Sequence, residues 1–233
     1  MKNWSCILGV YFIVEPIVDV KNNKLVAVEV LSRFYTQSGE QLSTQHTFLR
    51  LSSAMKINIL QQQIKSITEQ KSFFIKNNLI CSINIDYDTC IFIFNCKELQ
   101  KTIIENDFIA LEISETFPYF HENSRIIVDK LLNITNHIWV DDFGADNCKI
   151  NMPQLQNIGA VKLDKDFLYR TLNKEYFSEI IKSISTHCSK VIAEGIESQY
   201  ILDKIRDVSL WGGQGYYYPS VKLSEIYKLQ MYL

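Results

Sequence analysis

Apolar and polar positions fall into two long β-like runs near the start of the chain. In "YFIVEPIVDV" (residues 11–20) and "LVAVEVLSRF" (25–34), β-branched and aromatic residues dominate, and "KNNK" between them has the composition of a turn. The pattern predicts a β-hairpin. Residues 45–78 then carry Phe48, Leu51, Met55, Ile59 and Ile64 near helical spacing, with no Pro or Gly, and are predicted helical. Beyond them a rhythm sets in. Short apolar strands, "LICSINI" (79–85), "FIALEIS" (108–114), "IWV" (138–140), "AVKL" (160–163) and "KVIA" (190–193), alternate with stretches that include the amphipathic patterns "SRIIVDKLLNITN" (124–136) and "YFSEIIKSISTH" (176–187). Strand alternating with helix implies βαβ units and a parallel sheet. Eight such strands closing into a barrel suit 233 residues; an open doubly wound sheet is the alternative. No linker, low-complexity tract or Pro/Gly-rich boundary interrupts the pattern, so residues 1–233 are expected to form a single domain.

Composition narrows the function classes. Hydrophobic residues make up 47% and charged residues 21%, enough for a sizeable core. A net charge of −2 argues against a DNA or RNA partner held through phosphate neutralisation. "CILGVYFIV" (6–14) follows Lys2 and superficially resembles a secretory signal, but it stops at Glu15-Pro16 with no small-residue cleavage site and runs on into "PIVDV". A first strand is the better reading. No stretch approaches the ~18–20 apolar residues of a membrane span, so a cytoplasmic protein without membrane attachment is expected. The six cysteines are scattered, with no C-x-x-C pair and no histidine at zinc-ligand spacing, and are read as reduced thiols.

The strand ends carry the candidate chemistry. In either architecture ligands bind at the carboxyl ends of parallel strands. There the chain places Asn84, Glu112, Asp141 with Asp142, Lys162 and Glu194. Glu29 and Arg33, four apart, share a strand face, as do Glu112 with Ser114 and Lys162 with Asp164. Glu197 follows in "EGIES". Any one of these alone is most often a helix cap or a solvated turn. Together, Glu29, Glu112, Asp141, Asp142, Glu194 and Glu197 would repel at one mouth and stay ionised only if cations compensated them. One lysine and one arginine do not suffice. Hard oxygen ligands plus an amide suit Mg²⁺ or Mn²⁺, not zinc. Adjacent aspartates allow each of two ions its own ligand, or one aspartate to bridge them. Two ions ~3.5–4 Å apart clamp both oxygens of a phosphoester undergoing hydrolysis.

The segments "EPIVDV", "VAVEVLSRF", "INI", "LEISET", "VDDFGA", "VKLDKDF", "IAEGIES" and "GGQGYY" occur in an order and at distances that closely resemble the EAL-type cyclic di-GMP phosphodiesterases, over roughly residues 11–225. The resemblance implies a modified (β/α)8 TIM-like barrel whose first strand runs antiparallel, and cleavage of cyclic di-GMP to linear pGpG. It further implies lower levels of this second messenger, favouring motility over biofilm adhesion in bacteria. Carried over by motif, Glu29, Asn84, Glu112 and Asp141 resemble metal ligands, and Asp142 resembles a ligand shared with or belonging to a second metal. Lys162 matches a lysine that contacts the attacking water and scissile phosphate. Glu194 matches a glutamate near the second metal, proposed as general base. Glu197 and Gln214 match supporting positions, Glu115 a glutamate that steadies the loop after the paired aspartates, and Arg33 and Leu31 substrate-binding positions. An arginine fork suits phosphate oxygens.

Departures from the family pattern are Val30 in place of alanine, Glu15 in place of a common glutamine, Asp86 in place of serine, and "GADNCK" (144–149) in place of a Gly-Thr-Gly loop. Val30 faces away from Glu29. Glu15 alters a substrate contact. The changed loop bears on both activity and formation of a homodimer. Two other readings compete. "DFG" (142–144) occurs in protein kinases, but the Gly-rich loop and H-R-D segment are missing. A catalytically weak or inactive EAL-like adaptor, binding cyclic di-GMP or a regulatory protein, is the serious alternative; such adaptors usually lack several acidic ligands, and all are present here. His46, His121, His137 and His187 lie outside the motifs. "YYY" (216–218) reads as strand packing, with Tyr216 a candidate for a guanine contact.

Overall fold

The computed structural model describes residues 9–114, 125–145 and 152–233. The predicted hairpin is present: β1 (Gly9–Asp19) and β2 (Lys24–Tyr35) pair antiparallel along their full lengths, with a bulge between Ile17 and Val18. A short β3 (Gln41–Leu42) extends the outer end of β2. The stretch 45–78 forms three helices in place of one: α1 (Thr44–Phe48), α2 (Ser53–Glu69) and α3 (Lys71–Asn77). The cause is local. Ser43 and Ser52 accept hydrogen bonds from first-turn amides and restart the helix, and Asn78, at φ 52°, ends α3 in the left-handed region.

After these come β4 (Ile80–Asn84), α4 (Tyr87–Asn95), α5 (Lys97–Ile104), β5 (Ile109–Ser114), α6 (Arg125–Leu132), β6 (Ile138–Phe143) and β7 (Ala160–Leu163). The chain continues through α7 (Lys165–Thr171), α8 (Phe177–Ser185), β8 (Val191–Ala193), α9 (Gln199–Ile205), β9 (Gly212–Gly213) and β10 (Val221–Lys222). Strands β2, β4, β5, β6, β7, β8 and β9 run parallel in that order, and β1 closes the ring by pairing antiparallel with both β9 and β2. That closure decides for the eight-stranded barrel over an open sheet, with the first strand reversed. No helix among the described residues is long and apolar enough to cross a membrane.

Period-2 alternation sorts every strand into two faces. Outward residues such as Val28, Val30, Leu111, Val140, Val161 and Leu163 pack in the main core with the helices. Inward residues form two levels. The lower is apolar: Ile17, Ala27, Ala110, Trp139, Ala160 and Ile192 bury completely, the three alanines leaving room for the Trp139 indole. The upper level, toward the strands' carboxyl ends, is polar and holds Glu29, Glu112 and Lys162, all buried. A dry plug beneath a charged layer excludes water from below and strengthens every electrostatic contact above it.

Candidate metal centre

Lys162, 1% exposed, occupies the middle of the upper level. Its Nζ lies 2.9 Å from Glu29 Oε2, 2.6 Å from Glu112 Oε1, 3.2 Å from Asp141 Oδ1 and 2.7 Å from Glu194 Oε1. Glu29 also accepts from Asn84 Nδ2 (2.6 Å) and Gln214 Nε2 (2.7 Å). Four carboxylates around one ammonium leave an excess of negative charge, and the titration behaviour follows it. Burial pushes the Glu29 carboxyl up, but Lys162, Gln214 and Asn84 outweigh it and hold the group below the usual range. Burial raises Glu112 well above that range and lifts Glu194 to about 8, with Lys162 opposing and the neighbouring acids reinforcing. Lys162 itself is raised well above an ordinary lysine, because Asp141, Glu112, Glu194 and Glu29 outweigh its burial.

The paired aspartates owe their geometry to a bulge. Val140 is opposite Val161 and Phe143 opposite Leu163, so Asp141 and Asp142 together face the single residue Lys162. Asp142 takes φ 58°, a left-handed conformation that aspartate tolerates better than most residues. In a regular strand neighbours point to opposite faces; here Asp141, Asp142 and Glu194 bring ligand oxygens within 4.8 Å of one another, a grouping able to hold a metal ion. Buried Glu112 Oε2 has no hydrogen-bond donor, and Asp141 Oδ1 has only the ion-pair contact with Lys162 at 3.2 Å. An under-satisfied anionic oxygen beside an over-charged cluster is what a hard divalent cation would satisfy, so the residues fit one.

Around this centre the structure brings together most of the residues singled out in the sequence. Arg33 NH2 pairs with Glu15 Oε1 at 3.0 Å, and Glu15 Oε2 accepts from Gln214 at 3.3 Å. Leu31 lines a cleft of about 440 Å³ with Glu29, Asn84 and Asp141, walled by Phe48 and Leu60. Glu197 is turned outward: it binds Lys165 Nζ at 2.6 Å and Tyr169 OH at 3.4 Å. It lines a pocket of about 260 Å³ with Glu15, Glu194, Gln214 and Tyr216. Glu115 and most of the altered loop, including Asp146 and Lys149, lie outside the described residues. Asp164 and Asp86 take the bland role of helix N-caps, accepting from Phe167 N and Thr89 N. The tyrosine run forms a turn, not a strand, with Tyr216 86% exposed and Tyr218 buried. Sequence reasoning missed Phe48, Lys165 and Tyr169 at the mouth. Lys165 stood inside the quoted "VKLDKDF" with no role assigned, Phe48 carried only helical periodicity, and Tyr169 lay in no motif or pattern. The cysteines described, Cys81, Cys90, Cys96 and Cys188, are free thiols.

The EAL domain family model matches residues 9–220. The chain belongs to the EAL domain family. EAL relatives carry two kinds of name. The putative anti-FlhC(2)FlhD(4) factor YdiV of Escherichia coli is 23% identical over 93% of this chain and 92% of its own length. The cyclic di-GMP phosphodiesterase PdeA of Borreliella burgdorferi is 29% identical over 87% of this chain but only 32% of its own length. The crystal structure of the EAL-like domain protein YdiV superposes with a TM-score of 0.85 at 22% identity, covering 96% of this chain and 97% of that one, which establishes the shared EAL fold.

Proposed function

We propose that the chain is a metal-dependent phosphodiesterase that hydrolyses cyclic di-GMP to linear pGpG. The observation that carries this reading is the convergence of the complete donor set, Glu29, Asn84, Glu112, Asp141, Asp142 and Glu194, on one barrel mouth, with buried Glu112 Oε2 lacking a donor. Glu29, Asn84, Glu112 and Asp141 would hold one Mg²⁺ or Mn²⁺ ion, and Asp141, Asp142 and Glu194 a second. When bound, such ions supply Lewis-acid stabilisation of phosphate charge and a nucleophilic water at neutral pH.

The chain's own residues do the rest. Arg33 presents a planar fork at the rim to a phosphate once it leaves Glu15. Lys162, once ions take over its carboxylate partners, would turn its ammonium toward the scissile phosphate, and Gln214 holds Glu29 in place. Glu194 would be a ligand of the second ion, and its carboxylate also stands where it could accept a proton from the attacking water. Glu197 and Lys165 form the outer wall on the Tyr216 side.

A second reading is favoured by one observation. A relative that spans nearly the whole of both chains carries the name of a putative anti-FlhC(2)FlhD(4) factor, which supports a protein-binding role. The two separate on hydrolysis of cyclic di-GMP by the purified protein with Mg²⁺, Mn²⁺ or EDTA, beside a Glu29→Ala control. Metal-dependent pGpG that the substitution abolishes supports the enzyme. Intact substrate from folded protein under every metal condition overturns it and leaves the adaptor, whose partner binding needs no divalent ion.

A further inference from the structure

At the end of the barrel where the parallel strands begin, the apolar plug is underlain by residues that solvent reaches. Val26, Ile80 and Trp211 pack against it yet stay partly exposed. They form the floor of a depression of about 740 Å³, larger than the two mouth pockets of about 260 and 440 Å³. Half-buried Lys190 lays its ammonium 5.0 Å from the Trp211 ring centroid and pairs with no carboxylate among the described residues. Lys24 and His137 line the same depression. Of the acids there, Asp19 is already engaged by the hairpin turn, accepting from Lys21 N, Asn22 N and Asn22 Nδ2. Asp107 is exposed. Burial holds Lys190 and His137 below their ordinary values, so both cationic forms are under-solvated where they stand. A lysine stem resting on an indole is ordinary by itself. Here it coincides with a cavity, a partly exposed apolar floor and a half-buried ammonium that no carboxylate among the described residues neutralises.

We infer that this floor is a second ligand site that takes a small planar aromatic anion, its ring on Trp211 and Ile80 and its acidic group on Lys190 and Lys24. Catalytic residues of barrels gather at the opposite, carboxyl-terminal face, so this is a binding site and not a second reaction centre. The cavity has room for a nucleotide-sized molecule. A carboxylate and a phosphate monoester would satisfy the same cations, and the source of the anion is left to the experiment's two arms.

The test is isothermal titration calorimetry on the full chain in EDTA, with 1-naphthoate as the carboxylate probe and GMP as the phosphate probe. Guanosine and 1-naphthylmethanol serve as their neutral counterparts. The expected result is saturable binding of one or both anions, roughly tenfold weaker for the neutral counterpart and for Lys190→Met, as loss of one charge-assisted hydrogen bond implies. Binding should also weaken in Trp211→Leu and persist in Arg33→Ala, which changes only the mouth. Because the Lys190 ammonium has no anionic partner among the described residues, Lys190→Met should melt no lower than the parent. Absence of binding by either anion overturns the inference, and so does binding that survives Lys190→Met. A Lys190→Met protein that melts several degrees lower would make Lys190 a structural residue and overturn it too.

Discussion

A Lys162→Met substitution removes the ammonium at the centre of the donor set while keeping a buried stem. In the parent that ammonium contacts four carboxylates at 2.6–3.2 Å, and the partners Glu112 and Glu29 are 0% and 4% exposed. Breaking a buried charge cluster by removing one sign costs about 3–5 kcal/mol. The lower end is expected, since stranded carboxyls can neutralise by taking up protons. The pH dependence has a definite sign. Lys162 is raised, so its contribution is present below the ordinary lysine value and fades only as pH climbs through the raised one; between pH 5 and 9 it stays charged. What changes in that window is the partners. Glu194, at about 8, and Glu112, also raised, carry protons in mild acid and leave Lys162 less to neutralise. Urea unfolding in EDTA should therefore show Lys162→Met shifted down by about 1 M or more near pH 8.5, and by clearly less near pH 5.5. Mn²⁺ should recover stability by mass action, about 2.7 kcal/mol at a hundredfold excess over Kd. A variant that unfolds with the parent near pH 8.5, or loses the same amount at both pH values, would refute the account of Lys162 as the counter-charge of this cluster.

Four further outcomes follow from the same geometry. Glu15→Gln frees the Arg33 fork from its ion pair, so KM for cyclic di-GMP should fall roughly two- to fivefold with little change in kcat, as a part-exposed pair implies; steady-state kinetics check it. Mn²⁺ must displace the proton of Glu194, and that of raised Glu112, so its Kd, measured by calorimetry, should tighten as pH rises from about 6 through about 8. Asp142→Asn should fold like the parent but bind one ion fewer in the same calorimetry, whereas Asp142→Ala should in addition lose about 1 kcal/mol in urea unfolding, because alanine tolerates φ 58° poorly. Gly215→Ala would place a Cβ 2.4 Å from the backbone N and O of Ile196, so it should cost about 1–3 kcal/mol in the same unfolding assay and weaken Mn²⁺ binding through displaced Gln214.

The strands legible in the sequence were those with a pattern of their own. Ala110, Glu112 and Ser114 share one face of β5 while Ile109, Leu111 and Ile113 share the other, and period-2 alternation says so without coordinates. The same rule placed Glu29 and Lys162 inward. Strand β9 was not legible in this way: it consists of Gly212 and Gly213, which have no side chains to alternate, and its trace was the "GGQGYY" motif. The bulge at Asp141-Asp142 was also hidden. The pair of aspartates announced unusual chemistry, but that both oxygens reach one point depends on φ 58° and on the register against Lys162, which are tertiary facts. The three-helix break in 45–78 was written locally, in Ser43 and Ser52, and was overlooked because apolar spacing continued across it. The pairing of Glu197 with Lys165 joins residues 32 apart, and no spacing rule reaches that far.

The arrangement of Lys162 also bears on which of the two functional readings prevails. A divalent cation among Glu29, Glu112, Asp141 and Glu194 would draw on carboxylates that the ammonium now contacts, so metal binding and the Lys162 contacts compete for the same negative charge even where a second oxygen, such as Glu112 Oε2, lacks a donor. If the ammonium only moves aside, toward the phosphate, it remains in the site as a second positive group and the mouth is arranged for catalysis. If it keeps the oxygens at physiological metal concentration, the same residues form a closed, self-neutralised layer that holds the barrel together, and the outer surface is what remains to act. The two cases differ by one observable: Lys162→Met should raise Mn²⁺ affinity in both, but only in the first should it abolish hydrolysis that the parent performs. A parent without hydrolysis, gaining tight metal binding on Lys162→Met, would mark an EAL barrel whose centre has become structural.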